Sequence, residues 1–291
     1  MLKIIEKTKI WFSFSLAIIV IGLGFMAFKG LNFGIDFKGG TQVTLELGDN
    51  FDKAKADEIA KKYSDSIVTN TVGDNKNQFE IKSGDLDSSK VSDMVDEMKS
   101  TFNLENNILV SQNEIGASIG DELKRNSIVA LGIAFVAMLI YIAIRFEINF
   151  GIASIVALVH DILITLSIYA IFGIQVNTPF IAAILTIVGY SMNDTIVIFD
   201  RIRENSKNMR RASLAEVADV SINQTMSRSI ITTLTTLFTI TAVNVFVPTV
   251  REFSLPLMVG IVSGAYSSIF IASPVWVILK NRKNNKHKSR H

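Results

Sequence analysis

Not one of the 291 residues is a cysteine. A disulfide framework, a thiolate metal site and a cysteine nucleophile are therefore excluded, and any soluble part must hold together by packing. Histidine occurs three times, and never between Lys29 and Glu122. That stretch lacks the commonest general base and metal ligand. What is abundant is apolar surface. Hydrophobic residues make up 49% of the chain and charged residues 19%. The first figure is too high for an ordinary soluble domain and the second too high for a bare bundle of membrane spans. The mixture implies a membrane protein carrying one soluble insertion.

Charge is sorted along the chain. Lys29 to Glu122 holds 18 acidic and 10 basic residues, and the remainder holds 9 acidic and 19 basic. This polarity argues against a nucleic-acid binder and for a chain sorted across a membrane. Six apolar runs are long enough to span: Ile10–Phe28, Ser127–Ile144, Phe150–Phe172, Pro179–Phe199, Ile230–Val247 and Leu255–Leu279. Lys3, Lys7 and Lys9 precede the first run, but GFMAFKG (residues 24–30) offers no small-residue cleavage site, so the run reads as an uncleaved anchor. Lys and Arg crowd the short segments that share a side with the N-terminus. The positive-inside rule then predicts N-in and C-in, with residues 29–122 outside the cytoplasm.

The insertion has its own pattern. TQVTLEL (residues 41–47) alternates, with Val43, Leu45 and Leu47 on one face. Phe51–Tyr63 and Asp87–Phe102 read as helices, the second with Val91, Met94, Val95, Met98 and Phe102 on one stripe. Ile67–Val72, Gln78–Lys82 and Ile108–Glu114 read as strands, the first two joined by GDNKN. The order βαββαβ predicts a ferredoxin-like α+β domain, inserted after the first of six transmembrane helices. Expected divisions are 1–28 (N-terminus and first span), 29–122 (outer domain), 123–279 (five further spans) and 280–291 (basic cytoplasmic tail). No catalytic constellation is visible in the outer domain, and a fold of this kind does not imply an activity.

Chemistry concentrates in the spans. A carboxylate at membrane depth costs about 2.5–3.5 kcal/mol to insert and normally faces a bundle interior or a water path. Asp161, beside His160, lies near the centre of the third run. Asp194 lies roughly 9 Å before the inner end of the fourth. Gly189, Ser191, Asn193 and Thr195 make its surroundings small and polar, suited to close helix contact. The fifth run, SINQTMSRSIITTLTTLFTIT, supplies Arg228 and a row of threonines. Asp194 reads either as a permanent helix tie or as a carboxylate that binds and releases a proton while pairing with Arg228. Asp161 reads either as a packing partner of His160 or as a relay member. Arg228 reads equally as a positive-inside residue. An aspartyl-protease dyad is disfavoured, since the contexts are His-Asp and Ser-Met-Asn-Asp, so no catalytic residue is assigned.

GLNFGIDFKGGT (residues 30–41) follows the first run, and its four glycines imply tight turns, in the plain reading a connector. This segment, together with TPFIAAILTIVGYSMNDTIVIFDRIREN (residues 178–205) and SINQTMSRSIITTLTTL (residues 221–237), resembles the SecD/SecF protein-export family over nearly the whole chain. Asn193-Asp194-Thr195 is similar to the SecF branch. The resemblance implies a subunit that pairs with SecD in a twelve-span unit related to resistance–nodulation–division transporters. That unit associates with the SecYEG channel and YajC in the bacterial plasma (inner) membrane and uses the proton-motive force to draw preproteins outward. It implies proton-relay roles for Asp194 and Arg228; Asn193 and Asp161 stand beside them as relay candidates from their place in the spans, and a mechanism in which the spans shift makes Gly34, Asp36, Gly39, Gly40 and Thr41 a hinge. It implies no cofactor or metal, with protons as the coupling ion and sodium open as a replacement. A passive scaffold and an efflux-type subunit are the competing readings.

Overall fold

The computed structural model describes residues 2–73, 75–145 and 147–288. Among them six helical stretches are long and apolar enough to cross a membrane. They are α1 (Thr8–Lys29), α5 (Ala117–Arg145), α6 (Ile148–Phe172), α7 (Thr178–Asn208), α8 (Leu214–Phe246) and the stack of α9 (Arg251–Ser267) and α10 (Ser273–Lys288). Several helices outrun the apolar segments that mark them. The helix of α5 begins at Ala117, inside the stretch expected to belong to the outer domain, and α7 continues to Asn208. Hydropathy marks the part of a helix that meets lipid. The backbone ladder continues into the polar turns beyond it, where solvated side chains cost nothing. Of the expected tail, residues 289–291 lie outside the described residues, as does residue 74 in the turn between the second and third strands.

The sixth run is not one uniform helix. Between α9 and α10 lies a π-helical turn, Ser268–Ala272. Pro274 has no N–H to offer the Phe270 carbonyl four residues earlier, which disturbs the α ladder at this point. The Ser273 hydroxyl donates to the Ser268 carbonyl at 3.1 Å.

Residues after α1 form a short helix α2 (Ile35–Lys38) and then a four-stranded sheet: β1 (Gly40–Glu46), β2 (Ile67–Val72), β3 (Gln78–Ser83) and β4 (Leu109–Ile115). Helix α3 (Lys53–Tyr63) follows β1 and α4 (Ser88–Phe102) follows β3. The sheet order is β2-β3-β1-β4, antiparallel throughout. Each helix starts on an aspartate cap: Asp52 accepts from the N–H groups of Ala54 and Lys55, and Asp87 from that of Lys90. Alternation in β1 buries Val43, Leu45 and Leu47 against Ala56, Ile59, Val91, Met94 and Met98. A Tyr63–Glu97–Lys62 cluster ties the exposed sides of α3 and α4 together. Its hydrogen bond to Glu97 pushes the Tyr63 hydroxyl up to about 12.

The membrane helices divide into two sets. Helices α6, α7 and α9–α10 are buried over half or more of their apolar stretches, whereas α1, α5 and α8 are largely exposed. The core at the end away from the sheet stacks Phe150 on Trp276 with centroids 5.1 Å apart. There Asp219 of α8 accepts from the backbone N–H groups of Ile4 and Ile5, anchoring the N-terminal turn. At the sheet end a second core gathers Phe37, Tyr169, Val176, Phe180 and Leu257.

The glycine pair between α2 and β1 is sterically demanded. Gly39 has φ +81°, and Gly40 has φ +146°. A Cβ on Gly40 would stand 2.5 Å from the Ser83 carbonyl oxygen and 2.9 Å from the Gly84 Cα. Gly40→Ala must therefore force two backbones apart. We expect it to lower the apparent melting temperature of the purified protein by an amount equivalent to about 1–3 kcal/mol. Gly48→Ala, where a Cβ meets open space but φ is +85°, tests strain without the clash and is expected to cost less.

Candidate functional site

Asp161 and Asp194 lie within the apolar stretches of the bundle, and they are satisfied differently. Asp161 sits mid-way along α6 with no exposed surface. Its Oδ1 accepts from the Ser263 hydroxyl at 2.6 Å and lies 3.1 Å from His160 Nδ1. Its Oδ2 accepts from Ser191 at 2.6 Å and from Ser267 at 2.8 Å. A carboxylate offers about four acceptor positions, and all four are taken. His160 passes the network on, with Nε2 2.9 Å from Ser15 Oγ of α1. Ser15 Oγ is 3.4 Å from the Tyr266 hydroxyl, which donates to the Trp11 carbonyl at 2.9 Å. One buried acid thus joins α1, α6, α7 and α9.

Asp194 lies three residues beyond Ser191 on α7 and is 8% exposed. Its Oδ1 accepts from Ser229 of α8 at 2.8 Å. Its Oδ2 has no hydrogen-bond partner among the described residues. A proton arriving at Asp194 finds an open oxygen, while one arriving at Asp161 has to displace a hydroxyl. Next to Asp194, Thr195 Oγ1 is 2.8 Å from Ser268 Oγ, the first residue of the π turn. The unsatisfied carboxylate and the residue that meets the irregular backbone are therefore neighbours along α7.

Among the described residues the expected partners Asp194 and Arg228 make no contact within 4 Å, and Arg228 is exposed, although its charge lies near enough to act on the carboxylate. Successive helical residues point about 100° apart, so an inward Ser229 turns its neighbour Arg228 outward. Asn193 is likewise exposed on the outer side of α7. Sequence reasoning named Ser191 only as a small residue and missed Ser15, Ser229, Ser263 and Ser267. A signal was present: Ser263 and Ser267 are four residues apart on one helical face, with Gly260 and Gly264 on the same stripe.

The glycine-rich segment is clamped to the start of α7. Gly34 N–H donates to the Val176 carbonyl and Val176 N–H to that of Asn32, both at 2.8 Å. The Asp36 carboxylate accepts from Thr178 N–H at 2.8 Å, placing a negative charge on the N-terminus of α7. Gly39 N–H bonds the Ile35 carbonyl, and the Thr41 hydroxyl donates to the Leu86 carbonyl at 2.6 Å. From this grip α7 runs about 24 Å, at 1.5 Å per residue, to Asp194. Farther round the same end, Lys82 of β3 pairs with Glu252 in the first turn of α9 at 2.9 Å.

Residues 94–282 match the family described as protein export membrane protein SecD/SecF, C-terminal, and residues 24–49 match the SecD/SecF GG motif. The chain is 40% identical over 289 residues to the protein translocase subunit SecF of Sebaldella termitidis, covering 97% of this chain and 93% of that one. The chain belongs to the SecF family. It is also 37% identical to the protein translocase subunit SecDF of Thermus thermophilus, covering 95% of this chain but 38% of that longer one. The crystal structure of SecDF, a translocon-associated membrane protein from Thermus thermophilus, superposes with a TM-score of 0.80 at 34% identity, over 96% of this chain and 39% of that one. The family places the chain in protein export. The GG match covers the segment that grips α7, and the longer match covers α5 to α10, including both acids.

The contrast between the two acids gives an ordered expectation. Asp161→Asn exchanges two acceptor lone pairs for donors and leaves serine hydroxyls without their charged partner, each such bond being worth roughly 1.5–3 kcal/mol. We expect a large loss of melting temperature or folded yield in detergent for Asp161→Asn, and a small one for Asp194→Asn, whose carboxylate makes a single hydrogen bond. Equal losses in the two variants would contradict this assignment.

Proposed function

We propose that this chain is the proton-coupled SecF subunit of an export motor, joined to SecD and acting on preproteins emerging from SecYEG, with YajC as a further partner. Asp194 is the coupling site and Asp161 the fixed tie against which it works. The observation that carries this reading is the free Oδ2 of Asp194, buried beside a carboxylate network with no acceptor to spare. A bare scaffold would satisfy both acids alike. A SecD partner fits two facts: the SecDF relative joins a longer chain of which this one spans 38%, and α1, α5 and α8 present apolar faces outside the bundle. No cofactor is required. The proton is the coupling ion, and a carboxylate with a neighbouring hydroxyl leaves sodium as the variant to test.

The orientation is N-in and C-in in the bacterial inner membrane, with the sheet domain, ferredoxin-like in its strand order, on the outer side. Each charge moved across 100 mV yields about 2.3 kcal/mol, and each unit of pH difference about 1.4 kcal/mol. That is enough to bias a two-state shift by more than tenfold. Protonation of Oδ2 weakens the hold of Asp194 on Ser229 and lets α7 and α8 separate, with the exposed Arg228 at the entry and Asn193 on the outer side of α7.

Movement reaches the outer domain by two routes. One is Asp36, which holds the start of α7 to residues 34–41. The other is the Lys82–Glu252 pair, which holds β3 to α9, the helix carrying Ser263 and Ser267. Burial alone would lower the Lys82 ammonium, but the Glu252 hydrogen bond and charge outweigh it and hold the group above its ordinary value. A raised lysine keeps its pairing below the ordinary lysine range and loses it only above, so this tether stays charged at physiological pH on either side.

Two measurements test the reading. In inverted vesicles whose only copy carries Asp194→Asn, we expect normal abundance and co-purification with SecD but export that no longer responds to an imposed proton gradient. A wild-type response would move the coupling elsewhere and leave Asp194 as helix glue. For the tether, Lys82→Glu and Glu252→Lys are each expected to reduce the gradient-driven part of export with little change in abundance, since a partly exposed pair contributes about 1 kcal/mol or less. The double exchange is expected to restore it.

A further inference from the structure

The proton coupling proposed for Asp194 makes no use of His160, a buried titratable side chain with both ring nitrogens engaged. Nδ1 lies 3.1 Å from Asp161 Oδ1, and Nε2 lies 2.9 Å from Ser15 Oγ of α1. We propose that His160 is a second proton-binding site, which takes the proton at Nε2 and accommodates it by turning the Ser15 hydroxyl from His160 to Tyr266.

The hydrogen bonds fix the roles. Asp161 already accepts from Ser263, Ser191 and Ser267. A carboxylate engaged by three hydroxyl donors is an acceptor toward its fourth partner as well, so Nδ1 carries the ring hydrogen. A neutral imidazole with its hydrogen on Nδ1 offers only an acceptor at Nε2. Ser15 therefore donates to it. The Ser15 hydroxyl has one hydrogen and a second acceptor in reach, the Tyr266 oxygen at 3.4 Å. That oxygen can accept, because the Tyr266 hydrogen goes to the Trp11 carbonyl at 2.9 Å. When Nε2 gains a proton it becomes a donor, Ser15 accepts from it, and the Ser15 hydrogen turns to Tyr266. Every polar group of the network keeps a partner in both states, and no serine has to leave Asp161.

The charges agree with this. The titratable groups facing His160 are Asp161 on its own helix and Tyr266 on α9. Helix α1 faces it with Ser15, and α7 enters the network through Ser191. With a neutral imidazole the His160–Asp161 dyad carries one negative charge, and with an imidazolium it carries none. The Tyr266 ring stacks on the imidazole with centroids 5.8 Å apart and 20° between the planes, within the range at which an aromatic face attracts a cation. Ser15 and Gly22 are the buried residues of α1, so the hydroxyl that turns lies where that helix is held.

The test uses the full-length chain, labelled with nitrogen-15 histidine, in vesicles of phosphatidylethanolamine and phosphatidylglycerol. Ring nitrogen signals are followed by solid-state NMR from about pH 5 to about pH 8, the range in which histidine changes charge. The His160 signals are those lost in His160→Gln, and His287 and His291 are the internal reference. We expect a neutral ring with its hydrogen on Nδ1 at the alkaline end and a ring protonated on both nitrogens at the acid end. Ser15→Ala removes the acceptor of the new N–H and is expected to reduce the doubly protonated His160 signal several-fold, with the reference histidines unchanged. Tyr266→Phe removes the second acceptor for the Ser15 hydrogen and is expected to do the same if Ser15→Ala fails to fold. Asp194→Asn is expected to leave the His160 titration as it is, so the outcome is independent of any coupling at Asp194. A ring that stays neutral across the range overturns the proposal. So does a titration indifferent to Ser15→Ala and Tyr266→Phe, or one abolished by Asp194→Asn, which would make the two sites one.

Discussion

A carboxylate held without exposure at the middle of a membrane bundle has to be met by donors from the protein itself, because lipid offers none. Asp161 meets that requirement with hydroxyls from Ser191 on one neighbouring helix and from Ser263 and Ser267 on another, and with His160 reaching toward α1. The positions of four helices follow from this one constraint. The approach has to be close, which is why small residues line α7 and α9 where they cross: a Cβ on Gly264 would sit 3.0 Å from the Ser191 Cβ. The histidine, the serines and the glycines are one device.

Set against this fixed point, Asp194 is the part with freedom. It shares α7 with Ser191, so the same helix carries a fully engaged contact and a half-engaged one within a single turn. On its far side the π turn of the sixth span supplies Ser268, whose neighbouring backbone has already departed from the α ladder. A π turn and an α turn differ by the partner of a few carbonyls. The half-satisfied acid and the irregular backbone are the features on which the proposed proton coupling rests.

The junction with the sheet domain is a set of specific contacts. The glycine-rich segment reads in one dimension as a loose connector, yet its amides and the Asp36 carboxylate are spent on the α6–α7 turn and the first turn of α7. Its glycines allow chains to lie close and to turn sharply. The Lys82–Glu252 pair adds a second point of attachment to a different span. The sheet domain is thus held at two points on two helices.

Much of this was legible in one dimension. Spans appear because a helix in lipid must be apolar for about twenty residues, and the strand faces of Val43, Leu45 and Leu47 appear because side chains alternate. Both acids stood out because charge at that depth is costly. These are properties of a residue and its near neighbours. What no local pattern contained was which donor meets which oxygen. Arg228 attracted attention by its charge, and Ser229 did the bonding, because the rotation of α8 about its own axis is set by packing against α7. The serines of α9 reach Asp161 across about a hundred residues of chain, through helix contacts made only in three dimensions. The sequence by itself determined six apolar runs long enough to cross a membrane, with a carboxylate inside two of them. The tertiary structure decided which of them is locked and which is open, because hydrogen-bond partnership depends on distances of tenths of an ångström between helices that share no local sequence.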